Sequence, residues 1–262
     1  MSPDTKTQDV VRYEVEGRCA VITIDRPQAR NSVSPEVAEG IEAAIDAVEA
    51  DIGIWVAILT GTPPVFSAGA DLKAIGDGRA AQLSTERGGF AGITRRERTK
   101  PIIAAVEGAA LAGGTEIVLS CDLVVAGEDS RFGIPEVKRG LVAAAGGLFR
   151  LGRKIPINVA MELTLTGDPI DAPRAHSFGL VNELCPPGGA LDAARALADR
   201  ITANAPLAVS ESRQVVLAGT TADDETAWRL TKDASQVVMD SEDVKEGVRA
   251  FIEKRPPEWQ GR

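Results

Sequence analysis

The sequence predicts an α/β fold with a helical appendage. Short β-type runs alternate with helical patterns through the first half of the chain, and from about Leu191 only helical patterns remain. Strands alternating with helices, then helices alone, is the order of a sheet-and-helix core followed by an all-helical section. No internal repeat, low-complexity tract or long linker interrupts it. The sequence therefore divides into residues 1–195, the core, and 196–262, the helical region.

Val10–Val15 and Cys19–Asp25 are β-rich, and Glu16-Gly17-Arg18 between them reads as a hairpin turn. Ser34-Pro35 opens a helix, with the serine as N-cap and the proline at the first helical position. Val37, Ile41, Ile45 and Val48 follow at helical spacing, with Glu36, Glu39, Glu42 and Asp46 on other faces. Trp55–Thr60 is a buried-strand candidate ended by Gly61-Thr62-Pro63-Pro64; Pro101–Val106 is a second and Leu123–Ala126 a third. The stretch Gly76–Arg98 is polar and weakly periodic, and is expected to be a mobile surface segment beside a site. Leu191–Thr202, Pro206–Leu217, Asp223–Met239 and Ser241–Lys254 all carry helical patterns.

The chain has 262 residues, 44% hydrophobic and 26% charged, the balance of a soluble globular protein. Lys and Arg total 29 against 38 Asp and Glu, a net charge of −9. That field argues against a nucleic-acid surface, but not against a small anionic ligand met by a local patch. A single histidine excludes a His-rich metal centre, and any Ser-His-Asp or Cys-His mechanism would have to run through His176. Acid/base chemistry, if there is any, falls to carboxylates. Cys19, Cys121 and Cys185 make no CxxC pair, which points to a reducing compartment. The polar MSPDTKTQDV start lacks a signal peptide's apolar stretch, and no run approaches the ~18 residues of a spanning helix. A soluble, cytoplasmic protein is expected.

GxSxG, GxGxxG and HExxH are missing, and Gly147–Lys154 is only a faint echo of a phosphate loop, without Lys-Ser/Thr after its second glycine. Three other segments bear on chemistry. Phe66-Ser67-Ala68-Gly69-Ala70-Asp71-Leu72-Lys73 is a small, glycine-containing loop that lets backbone N–H groups approach a ligand; it reads equally as a tight turn capped by Asp71. In Pro101–Glu116 an apolar strand runs into the Gly113-Gly114 pair, where a helix begins. Unpaired amides at a helix start hold a developing oxyanion well, so Gly113 N–H is a candidate donor. Glu116 follows one turn later; it is either a working carboxylate or only a favourable first-turn acid. In Arg131–Glu136, Pro135 opens a turn that leaves Glu136 beside apolar neighbours. A carboxylate so placed has a raised pKa and suits a general acid; the bland alternative is an exposed acid of the Glu-Val-Lys-Arg run.

Together these segments resemble the crotonase superfamily, and within it enoyl-CoA hydratase. The motifs carrying the resemblance are Phe66–Leu72 (FSAGADL), Leu111–Glu116 (LAGGTE), Cys121-Asp122, Phe132–Glu136 (FGIPE), Met161–Gly167 (MELTLTG), Gly179–Val181 and Ala250–Arg255. They occur in order over about residues 10–262.

The resemblance implies an α/β fold of the crotonase type: a spiral of ββα units in 1–195, with helices in 196–262 that trimerise, often as a dimer of trimers. It implies an acyl-CoA substrate and no cofactor beyond that thioester. Its oxygen would be held between the backbone N–H groups of Ala70 and Gly113, while Glu116 and Glu136 match the family's two hydratase glutamates. Isomerases and other branches commonly keep only one. For CoA it implies Ala68, Ala70, Asp71, Leu72, Lys73 and Gly113, with Arg30 near a phosphate, and Phe251 and Lys254 contributed by a neighbouring subunit. Two features depart from the hydratase pattern. The usual Pro-Gly-containing stretch reads Val142-Ala143-Ala144-Ala145-Gly146-Gly147, and the C-terminal run with Gly88–Gly92 is also similar to carnitinyl-CoA dehydratase. The alternatives are therefore a dehydratase of that kind, an enoyl-CoA isomerase, or an acyl-CoA-binding protein without catalysis. No nucleic-acid or membrane partner is implied. His176 lies outside every motif and is expected to be structural or exposed.

Overall fold

A computed structural model describes residues 10–262. In chain order the strands and helices are β1 (Val11–Glu16), β2 (Cys19–Ile24), α1 (Pro35–Ala50), β3 (Val56–Gly61), α2 (Leu72–Gly76), β4 (Ser84–Thr85) and β5 (Gly89–Phe90). Then come β6 (Ile102–Val106), β7 (Ala109–Leu111), α3 (Gly113–Ser120), β8 (Leu123–Gly127), β9 (Arg131–Gly133), α4 (Gly147–Lys154), α5 (Ile157–Thr166), β10 (Ile170–Asp171) and α6 (Ala172–Ser177). The chain ends with β11 (Glu183–Cys185), α7 (Ala190–Thr202), α8 (Pro206–Gly219), α9 (Asp224–Met239) and α10 (Glu242–Glu253).

The main sheet runs β1-β2-β3-β6-β8-β11, antiparallel at β1/β2 and parallel from β2 onward. Its central strands are buried along their whole length, because helices cover both faces. The period of two sorts their side chains. Ala20, Ile22, Ile24, Ala57, Leu59, Ile102, Ala104 and Val106 join the larger core, beneath α1 and α3. Cys19, Val21, Val56, Ile58, Ile103 and Ala105 join the smaller one, beneath Ala194, Leu197 and Ala198 of α7. Helix α7 thus runs through residue 195 while packing on the sheet.

Helix α1 forms as its sequence pattern predicts. Ser34 Oγ accepts the Val37 N–H, Pro35 opens the first turn, and Val37, Ile41, Ile45 and Val48 are all buried. The Gly76–Arg98 stretch differs in part from expectation: residues 76–82 are mostly exposed, but from Leu83 to Thr94 it is a packed wall. Leu83, Ala91, Ile93 and Thr94 are buried, and two acids of α1 hold the segment. Glu42 accepts from Gly88 N–H at 2.8 Å and Thr85 Oγ1, and Asp46 pairs with Arg87 at 2.6 Å and with Arg96. Those acids lie on the polar face of α1, and the segment's arginines and turn amides neutralise them. The C-terminal helices join the core through Asp122, which lies between Arg98 (3.0 Å) and Arg213 of α8 (2.9 Å). No helix among the described residues is long and apolar enough to cross a membrane.

Candidate active site

The site is built by stacking. A second, small sheet runs β10-β9-β7, and Ser67 extends it by a parallel bridge to Ala110. Ala110 in turn pairs with Phe132. Ser67, Ala110 and Phe132 are therefore successive rungs, and all three are fully buried. A few residues beyond each rung the chain turns into the same space: Ala70 after the first, Gly113 and Glu116 after the second, Glu136 after the third. Residues more than sixty positions apart in sequence meet because the rungs are in register.

The loop carrying Ala70 begins α2, and Asp71 caps that helix. Its Oδ1 accepts from Lys73 N–H at 3.0 Å and its Oδ2 pairs with Arg26 at 3.0 Å. The Asp71 carboxylate is thus held by its own loop, and burial is outweighed by these donors, so its pKa is lowered. The strand-like bridge of Val33 to this loop uses Gly69 O and Asp71 N–H, leaving the Ala70 N–H on the opposite side. At α3, Ala112 has φ 52° and ψ −125°, a conformation that L residues adopt only under constraint. Its N–H donates to Gly133 O at 2.9 Å, and the turn it forces starts α3 at Gly113. Among the described residues, neither the Ala70 nor the Gly113 amide donates to a protein carbonyl. The hydroxyl of Thr115 lies 2.7 Å from Ala110 O and 2.8 Å from Gly133 O, and accepts from Gly133 N–H at 3.0 Å. It fastens the start of α3 to both neighbouring rungs.

Glu116 is 4% exposed. Its Oε1 accepts from Gly147 N–H at 2.9 Å, the first residue of α4. Burial raises its pKa, and the nearby negative charge of Glu136 raises it further; the Gly147 donor and the Arg150 cation pull the other way and are outweighed. Glu136 sits in the Pro135–Arg139 3₁₀ turn, and its Oε2 is buried without a hydrogen-bond partner. Burial raises its pKa as well. A cavity of about 1140 Å³ joins these groups. Arg30, Ala68, Ala70, Asp71, Leu72, Lys73, Gly113, Glu116 and Glu136 all line it. Two carboxylates that hold protons readily, facing two outward amides, can pass a proton and stabilise a developing oxyanion in one place.

The sequence pattern of the family described as "Enoyl-CoA hydratase/isomerase" matches residues 14–262. The chain belongs to this enoyl-CoA hydratase/isomerase family. It is 41% identical over 255 residues to enoyl-CoA hydratase EchA19 of Mycobacterium tuberculosis, covering 95% of this chain and 96% of the relative. It is 36% identical over 257 residues to the carnitinyl-CoA dehydratase of Salmonella arizonae, covering 96% and 98%. The crystal structure of enoyl-CoA hydratase EchA1 from Mycobacterium marinum superposes with a TM-score of 0.94 at 49% identity, covering 97% of this chain and all of that one. The crotonase-type α/β fold expected from the motifs is the fold observed.

Two of the candidate residues lie elsewhere. Phe251 and Lys254 stand at the end of α10, outside the cavity of their own chain, and Phe251 is 86% exposed. His176 is also outside; its Nδ1 lies 2.9 Å from Val181 O. The stretch that faintly echoed a phosphate loop is helix α4, whose first amide serves Glu116. Sequence reasoning missed Ala112, Thr115, Phe90 and Arg150. Phe90 lines the cavity, and its ring occupies the place that a side chain on Gly113 would take. The glycine at 113 was the available signal for that close approach.

Proposed function

We propose that the chain is an enoyl-CoA hydratase, reversibly adding water to a trans-2-enoyl-CoA to give the 3-hydroxyacyl-CoA. The observation that carries this reading is the meeting of Glu116 and Glu136 in one cavity with the Ala70 and Gly113 amides. In this reading the two N–H groups donate hydrogen bonds to the thioester oxygen. Glu116, ionised, takes the proton of a water whose oxygen bonds to C3. The electron pair of the double bond moves toward the thioester, giving an enolate-like species between the amides. Glu136, protonated, delivers its proton to C2. Water's oxygen and one proton end on the product, and the other proton passes to Glu116, so the pair ends with its protons exchanged. Raised pKa values suit both roles, and the titration belongs to the pair.

CoA would lie along Ala68, Asp71, Leu72 and Lys73, with Arg30 toward a phosphate and Phe251 and Lys254 supplied by a neighbouring subunit. No cofactor beyond the thioester takes part. The chain would act in the cytoplasm, with the core, α7 included, as the acyl-CoA-binding part and the helices after α7, rather than all of 196–262, as the assembly region of a homotrimer or dimer of trimers. Support for assembly comes from the large apolar side chains left on those helices: Trp228 is 74% exposed and Ile252 73%. Light scattering at micromolar concentration is expected to give the trimer mass or its double; a monomer alone would refute assembly.

The function is tested by loss of enoyl-thioester absorbance with crotonyl-CoA. Glu116→Gln and Glu136→Gln are each expected to cost about 10²–10⁴-fold in rate. A wild-type protein inactive on enoyl, carnitinyl and 3-enoyl thioesters alike would overturn the catalytic reading. Preference for the carnitinyl thioester would make the chain a dehydratase of that class. Loss in only one variant, with 3-enoyl turnover, would make it an isomerase.

A further inference from the structure

Helix α4 does more than supply the Gly147 amide. Arg150, in its first turn, lines the cavity half-buried, yet both of its side-chain hydrogen bonds go to backbone carbonyls. Nη1 donates to Ala145 O at 3.2 Å and Nη2 to Thr94 O at 2.6 Å. Thr94 belongs to the packed wall opposite, so the guanidinium ties the two sides of the cavity together. Between Ala145 and Gly147 the chain turns at Gly146, with φ 101°. A side chain there would fall on Nη1 of Arg150, so the guanidinium fills the space under the turn. The other side of the turn meets Glu116: a side chain on Gly147 would stand 3.0 Å from the Glu116 Cγ and Oε1. The turn is a single backbone layer between a guanidinium and a carboxylate.

We propose that Arg150 is a positioning residue for Glu116: it pins the Ala145–Gly147 turn, and the turn holds the carboxylate toward the reacting water. The proposal rests on the hydratase reading above. The charged groups facing Glu116 are Glu136, from the turn after β9, and Arg150, from α4. They act in opposite directions, Arg150 favouring the ionised carboxylate that the mechanism needs as a base. Arginine suits the task because its planar fork reaches two fixed carbonyls at once, which a lysine ammonium cannot reproduce.

Arg150→Met, Arg150→Lys and Gly146→Ala are compared with wild type in two ways. The first is the pH profile of kcat and KM with crotonyl-CoA. The second is ¹³C NMR titration of the Glu116 carboxylate, assigned by its loss in Glu116→Gln. Arg150→Met is expected to lose at least ~10-fold in kcat with KM nearly unchanged, the pattern of a transition-state effect. Glu116 should titrate at higher pH, moving the acid limb of kcat upward. Arg150→Lys should restore the titration and only part of kcat, and Gly146→Ala, which displaces the guanidinium, should resemble Arg150→Met. An unchanged Glu116 titration in folded Arg150→Met and Gly146→Ala overturns the proposal. A loss confined to KM also overturns it, making Arg150 a substrate contact. The titration needs no turnover, so a wild type inactive on every thioester would sink the hydratase reading while the hold of Arg150 on Glu116 is still read.

Discussion

Gly69 lies against Gly113 so closely that a methyl group on Gly69 would stand 2.7 Å from the Gly113 nitrogen. These two glycines set the distance between the loop that bears Ala70 and the start of α3. Gly69 also has φ 86°, a region where a side chain adds strain. Gly69→Ala is therefore expected to push the two amides apart. Spoiling one oxyanion donor costs about 10²–10³ in rate. A kcat within a few-fold of wild type would show that the spacing is not used. Thermal melting of the same variant separates strain, at about 1–3 kcal/mol, from loss of folding.

Thr115 makes a second prediction, about stability and geometry together. Its hydroxyl is the acceptor for the buried Gly133 N–H and lies within hydrogen-bond distance of two carbonyls. Valine has the same shape and no hydroxyl. Thr115→Val leaves the buried Gly133 N–H without that acceptor, at a cost of about 1–3 kcal/mol. Because the bond fixes the start of α3, the variant should also lose activity. Thr115→Ser keeps the hydroxyl and should lose less of both. Equal melting temperatures for wild type and Thr115→Val would remove the fastening role.

The long elements were legible in the sequence because burial on one or both faces writes itself as period. Helix α1 shows this in Val37, Ile41, Ile45 and Val48, and β3 and β6 show it as unbroken apolar runs. The small sheet was not legible. Its strands β7, β9 and β10 have three, three and two residues, too few to display a period. Its register, however, is what brings Ala70, Gly113 and Glu136 together. The motifs marked those residues one segment at a time, and their proximity is a tertiary fact. The packing of the Leu83–Thr94 part of the Gly76–Arg98 stretch is not legible for a related reason. Its polar residues suggested solvent, but Arg87, Arg96 and Thr85 are polar because α1 presents Glu42 and Asp46 to them. Arg150 was invisible as a site residue because its partners are backbone carbonyls, which no sequence pattern records.

The two glutamates also predict how stability depends on pH. Both have pKa values raised above the ordinary carboxylate value by burial. Between the unfolded value and the raised one, the folded state binds more protons than the unfolded state. Stability must then fall as pH rises through that window, and the loss persists above it. This is opposite in sign to Asp71 and Glu246, whose pKa values are lowered, Glu246 to about 2, by arginine and amide donors. Those groups titrate alike in wild type and in a Glu136→Gln variant, so they cancel in the difference. Glutamine cannot ionise, and at Glu136 it replaces a carboxylate with a buried, unpartnered oxygen. The melting temperature of Glu136→Gln minus that of wild type should therefore rise as the pH climbs above the ordinary carboxylate value of about 4. Glu116→Gln should shift in the same direction. Differential scanning calorimetry across that range checks the sign. Curves for wild type and variants that run parallel would mean that neither carboxylate is held in its protonated form by the fold.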